Sequence, residues 1–120
     1  AMNLQITMLA LALSEGIIFM KKANVDPKIF LEILNSTYFK TGMSEKKAFK
    51  MIENKFDATF TLSNLKKDIS TITSAAKSLG IELPMIKKAE QVYENAVKEG
   101  FGEMDYTGII EYIKKINDLK

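Results

Sequence analysis

The sequence predicts an all-α fold, a bundle of five to six helices packed around a long first helix. Three observations carry that expectation. Apolar residues recur at steps of three and four along nearly the whole chain, the spacing of one helix face. Two prolines occur, Pro27 and Pro84, each where a helix should begin, the position at which the missing N–H costs nothing. No segment alternates apolar and polar residues as a half-buried strand would. At 120 residues the chain is one domain's worth. Roughly two-thirds of its unfolded surface can be buried without a covalent staple.

The first helix is expected from about Asn3 to Ala23. Leu4, Ile6, Met8, Leu9, Leu11, Leu13, Ile17, Ile18 and Met20 lie all round its axis, which marks a helix buried on several sides. Such a helix is about 31 Å long. Part of it should emerge from its own bundle and take cover from a second copy, with Leu11 and Ile18 at the contact. Gln5, Thr7, Ser14 and Glu15 interrupt the apolar run and no basic segment precedes it, so neither a membrane span nor a signal peptide is expected.

Asp26-Pro27 reads as an N-cap followed by the first helical residue. Phe30, Ile33 and Leu34 then form the inner face of a short helix fading near Asn35-Ser36. Ser44 is the expected cap of the next, with Ala48, Met51 and Ile52 inside, and Asn54 to Thr59 reads as a loop. The clearest stripe is Leu62, Leu65, Ile69, Ile72, Ala76 and Leu79, stopped by Gly80. Pro84 opens a helix with Ile86, Ala89, Tyr93, Ala96 and Val97 inside and Gly100 as its stop. Asp105 or Thr107 caps the last, with Ile109, Tyr112, Ile113 and Ile116 inside.

Composition excludes several kinds of chemistry. The chain has no cysteine and no histidine, so disulfides, thiolate metal sites, the usual zinc ligands and Ser-His or Cys-His dyads are out. No metal site is expected. Net charge is +2, and the five Lys-Lys pairs beginning at 21, 46, 66, 87 and 114 are not interleaved with aromatic residues. They read as solvated faces, three of them near helix ends where cations suit the dipole, and no nucleic-acid partner is expected. No glycine-rich phosphate loop or nucleophile elbow is present. Taken by spacing alone, Phe60 is a core residue, Asp68 an acid favoured by the helix dipole, and Asp105 an N-cap.

Several short patterns share one order. Asn3 stands at the head of a long apolar helix with Ser14-Glu15-Gly16 in its middle. Ala23-Asn24-Val25-Asp26 leads to the next helix. Phe60 precedes the acid of Lys67-Asp68 by eight residues. Leu79-Gly80-Ile81-Glu82-Leu83-Pro84 links two helices, and Gly102-Glu103-Met104-Asp105-Tyr106-Thr107 precedes the last. This order, from about Asn3 to Asn117, resembles the C-terminal domain of the β-hydroxyacid dehydrogenases, relatives of 3-hydroxyisobutyrate dehydrogenase, tartronate semialdehyde reductase and 6-phosphogluconate dehydrogenase. The family usually has Ala-Glu-Ala at 14–16 and Ser at 107.

The resemblance implies a set of expectations. Residues 1–120 form a single helical C-terminal domain, and the N-terminal dinucleotide-binding domain is absent from this chain. The whole protein is a cytoplasmic NAD- or NADP-dependent oxidoreductase that transfers hydride between the nicotinamide and a small hydroxyacid. Asn3 binds substrate and Lys67 approaches the nicotinamide end of the cofactor. Phe60 and Asp68 line or brace the cleft. The family's catalytic lysine lies one helical turn before the asparagine, which places it ahead of Ala1, and Ala1 before Met2 suggests an imposed start. The domain's partners are its own dinucleotide-binding half, a hydroxyacid and a second copy. The alternative is a stand-alone helical interaction module with no catalytic role.

Overall fold

The computed structural model describes residues 1–120 and contains seven α-helices with no β-strand. The long first helix, α1, runs Met2–Lys22. α7 (Ile109–Ile116), α5 (Leu62–Leu79), α2 (Pro27–Asn35) and α6 (Pro84–Ala96) all pack against it. By length and hydropathy α1 alone could cross a membrane. In the fold it buries Thr7, Ala10, Leu13, Ser14, Ile17 and Ile18. The two polar members are satisfied within the helix: Ser14 Oγ donates to the Ala10 carbonyl and Thr7 Oγ1 to the Asn3 carbonyl, both at 2.7 Å.

The helix starts and stops follow local chemistry. Asp26 accepts from the Lys28 N–H at 3.0 Å with Pro27 as the first residue of α2. Thr61 accepts from the Asn64 N–H at the head of α5. Gly80, at φ 70°, closes α5 in the left-handed conformation that a side chain disfavours. α6 is regular to Ala96 and then widens into a π turn over Val97–Phe101, with Gly100 at φ 96°.

Four expectations need correction. Ser44 is not a helix cap: Thr41 caps α3 (Gly42–Lys46), and Ser44 is the third residue of a capping box in which each side chain bonds the other's backbone N–H. The chain breaks at Lys47 before α4 (Ala48–Ile52). In α2 the fully buried residue is Leu31, while Ile33 is 60% exposed, because Phe30, Leu31 and Leu34 turn to the core and Ile33 shares the outer side with Ile29. Leu79 and Ile116, each at the end of its stripe, are exposed, since both lie in last turns that overrun the core. The lysine pairs are not uniformly solvated. Lys114 is 3% exposed, its Nζ donating to Asn54 Oδ1 at 2.7 Å and Glu111 Oε1 at 2.9 Å.

Lys47 joins the other buried charged group, the carboxylate of Asp105, itself 2% exposed. Asp105 does cap the 3₁₀ turn Tyr106–Gly108 that leads into α7, but it does more. Its oxygens accept from Thr107 Oγ1 (2.6 Å) and N–H (3.3 Å), from Lys47 Nζ (3.2 Å) and from the Thr59 N–H (3.3 Å). The same segment supplies carbonyls to α5: the Leu62 N–H donates to Met104 and the Ser63 N–H to Gly102, at 2.8 and 2.9 Å. These are donors a helix start cannot satisfy internally.

Burial alone would raise the Asp105 carboxyl, but the hydrogen bonds from Thr107 and Lys47 and the charge of Lys47 outweigh it and hold the group below the usual carboxylate range. A depressed folded-state value stabilises the fold above the unfolded value of about 3.9, and that contribution is lost as pH falls through the folded value. Asp105→Asn should therefore lower stability by about 1–3 kcal/mol at pH 7. The gap to the parent should shrink below about pH 4. Chemical denaturation across pH measures both; a gap independent of pH would show that the charge is not what the site uses.

Candidate functional site

The first turn of α1 and the second turn of α5 meet at one end of the bundle. Asn3 Nδ2 donates to Asp68 Oδ2 at 2.7 Å, joining residues 65 apart in sequence. A carboxylate only accepts, so Asp68 fixes which end of the Asn3 amide is nitrogen. The Asn3 Oδ1, the second amide N–H and the other Asp68 oxygen are left to serve a ligand. A shallow pocket of about 320 Å³ opens beside the pair, lined also by Thr71 and Ile72 of α5 and by Ala1 and Met2. Thr71 Oγ1 donates back to the Lys67 carbonyl at 3.1 Å, so its lone pairs remain as acceptors. A pocket rich in acceptors and bordered by a carboxylate suits a hydroxyl or amide donor better than a second carboxylate.

Of the four residues singled out in the sequence, the structure brings two together. Asn3 and Asp68 are bonded. Lys67 precedes Asp68 on α5, lies exposed, and does not line the pocket. Phe60 stands just before the Thr61 cap, packed against the core, with its ring 6.1 Å from that of Tyr106. The Lys47 ammonium lies 4.8 Å from the centre of the same Tyr106 ring. Phe60 thus belongs to the Asp105 cluster, and the Tyr106 N–H donates to its carbonyl at 2.8 Å. Burial, then the nearby Asp105 charge, raises the Tyr106 hydroxyl. Tyr93, fully buried and with no partner for its hydroxyl, is pushed far above its ordinary value by burial first, then by Tyr106 and Asp105. Neither phenol ionises near neutral pH.

Thr71 was not singled out from the sequence, and Ile72 was named there only as part of the apolar stripe of α5. As site residues, their signal is a helical one, three and four residues beyond Asp68 on the same face. No group of acidic residues is arranged to hold a metal ion.

Residues 1–113 match the family described as NAD-binding of NADP-dependent 3-hydroxyisobutyrate dehydrogenase. The chain belongs to that family. It is 35% identical over 104 residues to the oxidoreductase YfjR of Bacillus subtilis, covering 86% of this chain and 36% of the relative. Glyoxylate/succinic semialdehyde reductase 2 of Arabidopsis thaliana is 26% identical over 84% of this chain and 28% of its own length. The fold superposes on the crystal structure of a 3-hydroxyisobutyrate dehydrogenase from Salmonella typhimurium with a TM-score of 0.85 at 17% identity, covering 92% of this chain and 39% of that one. The chain spans about a third of the length of these relatives. The family is one of NAD(P) binding, and the relatives from Bacillus subtilis and Arabidopsis thaliana given above carry oxidoreductase or reductase names.

The Asn3–Asp68 bond gives a direct test of the site's geometry. Asn3→Asp would set two carboxylates at hydrogen-bond distance. The variant should lose about 1–2 kcal/mol at neutral pH. Part of that loss should return on acidification through about pH 4–5, as one carboxyl of the pair takes up a proton. Thermal melts at several pH values read this, and a variant as stable as the parent at pH 7 would mean that the two side chains do not meet.

Proposed function

We propose that this domain forms the substrate-side wall of an NAD(P)-dependent β-hydroxyacid dehydrogenase and works with a dinucleotide-binding domain that is not part of this chain. The observation that carries the reading is the 2.7 Å bond between Asn3 and Asp68, two residues that the family pattern assigns to one cleft and that only the fold makes neighbours.

In this reading Asn3, held by Asp68, orients the hydroxyl of a small hydroxyacid. The family's general acid/base is a lysine one turn ahead of that asparagine, on the same helix face. The bound nicotinamide would supply hydride chemistry. The acceptor oxygens around Asn3 fit the alcohol end of a substrate, while no glycine-rich turn on this chain cradles a pyrophosphate. The dinucleotide must therefore be held mainly by the other domain, with Lys67 reaching toward its nicotinamide end and Phe60 bracing the cleft through Tyr106. The working form is a cytoplasmic homo-oligomer built on this domain.

Two measurements test the reading. The 120-residue chain alone should show no turnover of any hydroxyacid with NAD or NADP, and measurable turnover would overturn the division of labour between domains. In a full-length protein containing this domain, Lys67→Ala should raise the cofactor KM or lower kcat, with stability changed by no more than about 0.5 kcal/mol. Asn3→Ala should lower kcat/KM for the hydroxyacid. Unchanged kinetics at Lys67 with damaged kinetics at Lys66 would shift the register by one residue, and unchanged kinetics at both would reject the role.

A further inference from the structure

Lys47 stands where the chain breaks between α3 and α4. Its backbone is tied to both short helices: its N–H donates to the Met43 carbonyl at 2.8 Å, and its carbonyl accepts from the Met51 N–H at 3.1 Å. The side chain is therefore fixed at its root, and it reaches across to the head of α5 with 26% of its surface exposed. There the ammonium has three neighbours. It donates to the Asp105 carboxylate at 3.2 Å and to Thr59 Oγ1 at 3.4 Å. It also lies 4.8 Å from the centre of the Tyr106 ring.

All three neighbours hold Phe60. Thr59 precedes it, and the Thr59 N–H and Oγ1 donate to Asp105 Oδ1 at 3.3 and 3.4 Å. Thr61 follows it and pairs backbone to backbone with Asp105. The Phe60 carbonyl accepts from the Tyr106 N–H at 2.8 Å, and the two rings lie 6.1 Å apart. Phe60 itself is only half-buried, so filling the core does not account for so many anchors. A buried ion pair adds little net stability over apolar side chains of the same volume, but its partners must meet at one distance and one angle. The face of the Tyr106 ring is drawn to the ammonium, which fixes that ring in tilt as well as in place. A neutral side chain cannot serve the carboxylate and the ring face together.

We propose that Lys47 is a positioning residue: through Tyr106 and Asp105 it fixes the ring of Phe60 on the wall of the substrate cleft. The inference rests on the reading of this domain as the substrate-side wall of a dehydrogenase, and it adds a residue outside the pattern that pointed to Asn3, Phe60, Lys67 and Asp68. Lys47 does not line the Asn3 pocket and acts through the ring it holds. Asp68 lies about 9 Å along the α5 axis from Leu62. A shift of Phe60 at the head of α5 therefore changes the gap between its ring and the Asn3–Asp68 pair. Displacements of about 1 Å are enough to lose much of the rate of a bound substrate.

Two experiments test this role. In the 120-residue chain labelled with fluorophenylalanine, the fluorine NMR signal of Phe60 is assigned by its loss in Phe60→Leu. That signal should shift in Lys47→Met and in Lys47→Gln, and hold its parental position in Lys47→Arg, which keeps both the charge and the ring contact. Lys47→Gln retains a donor beside Asp105 and so reads the ring contact even if Lys47→Met does not fold. In a full-length protein containing this domain, Lys47→Met should lower kcat/KM for the hydroxyacid about tenfold, and Lys47→Arg should restore most of it. Phe60→Ala should lower it as well, and Lys47→Met should then add nothing in the Phe60→Ala background. A Phe60 signal unmoved by Met and Gln at position 47 would overturn the link from Lys47 to Phe60. So would a kinetic loss in Lys47→Met that persists undiminished beside Phe60→Ala. A shifted signal with unchanged kinetics would overturn the place of both residues at the cleft. A full-length parent without hydroxyacid turnover would sink the dehydrogenase reading itself, while the fluorine signal still decides whether Lys47 holds Phe60.

Discussion

A long apolar helix with nowhere to hide is the constraint on which this domain is built. α1 carries apolar residues around most of its circumference, and burial of such surface stabilises by roughly 25 cal/mol per Å². The other six helices therefore all pack on it, α7, α5, α2 and α6 most extensively. The cover is thorough around Ala10, Leu13 and Ile17 and thinner on the opposite side, where Phe19 emerges. One helix thus does two jobs that pull in different directions. Its first turn presents Asn3 at the edge of the bundle, and its last two turns leave Phe19 exposed.

The second organising feature is the buried Asp105 carboxylate. A charge at 2% exposure is costly unless paired and hydrogen-bonded. Here Lys47, Thr59 and Thr107 supply the partners from three separate segments. The cluster ties the α3–α4 break, the start of α5 and the start of α7 to one point. The carbonyls of Gly102 and Met104 then take the first N–H groups of α5. This fixes where α5 begins and hence where Asp68, a turn and a half later, meets α1. The Asp105 cluster acts on the Asn3 pocket at a distance, by setting the position of the helix that carries Asp68. Lys114 plays a similar part on the other side, holding Asn54 in the left-handed conformation that ends the α4 segment.

A chain that covers about a third of each relative supplies a helical body and one polar corner, and nothing that could cradle a pyrophosphate. In dehydrogenases that close two domains around a cofactor, each domain contributes one wall and the chemistry occurs where they meet. In the proposed enzyme, the corner with a fixed amide and spare acceptor oxygens is this domain's share of such a site.

Much of this was legible in the chain. The all-helical class, the caps at Asp26 and Asp105, the proline starts and the glycine stop at 80 all follow from local rules of spacing and backbone freedom, which act over a few residues and so leave their mark in sequence. What the chain did not disclose are the pairings between distant segments. Lys47 and Lys114 look like any surface lysine, and whether one is solvated or buried depends on which acid or amide the fold brings to it. Ile33 and Leu31 are equally apolar, and the neighbouring helices decide which one turns inward. Asn3 and Asp68 could be named separately, but their bond exists because α1 and α5 pack side by side. Local sequence thus set the elements and their ends. Only tertiary packing decided which faces meet, because burial is a property of neighbours and not of the residue itself.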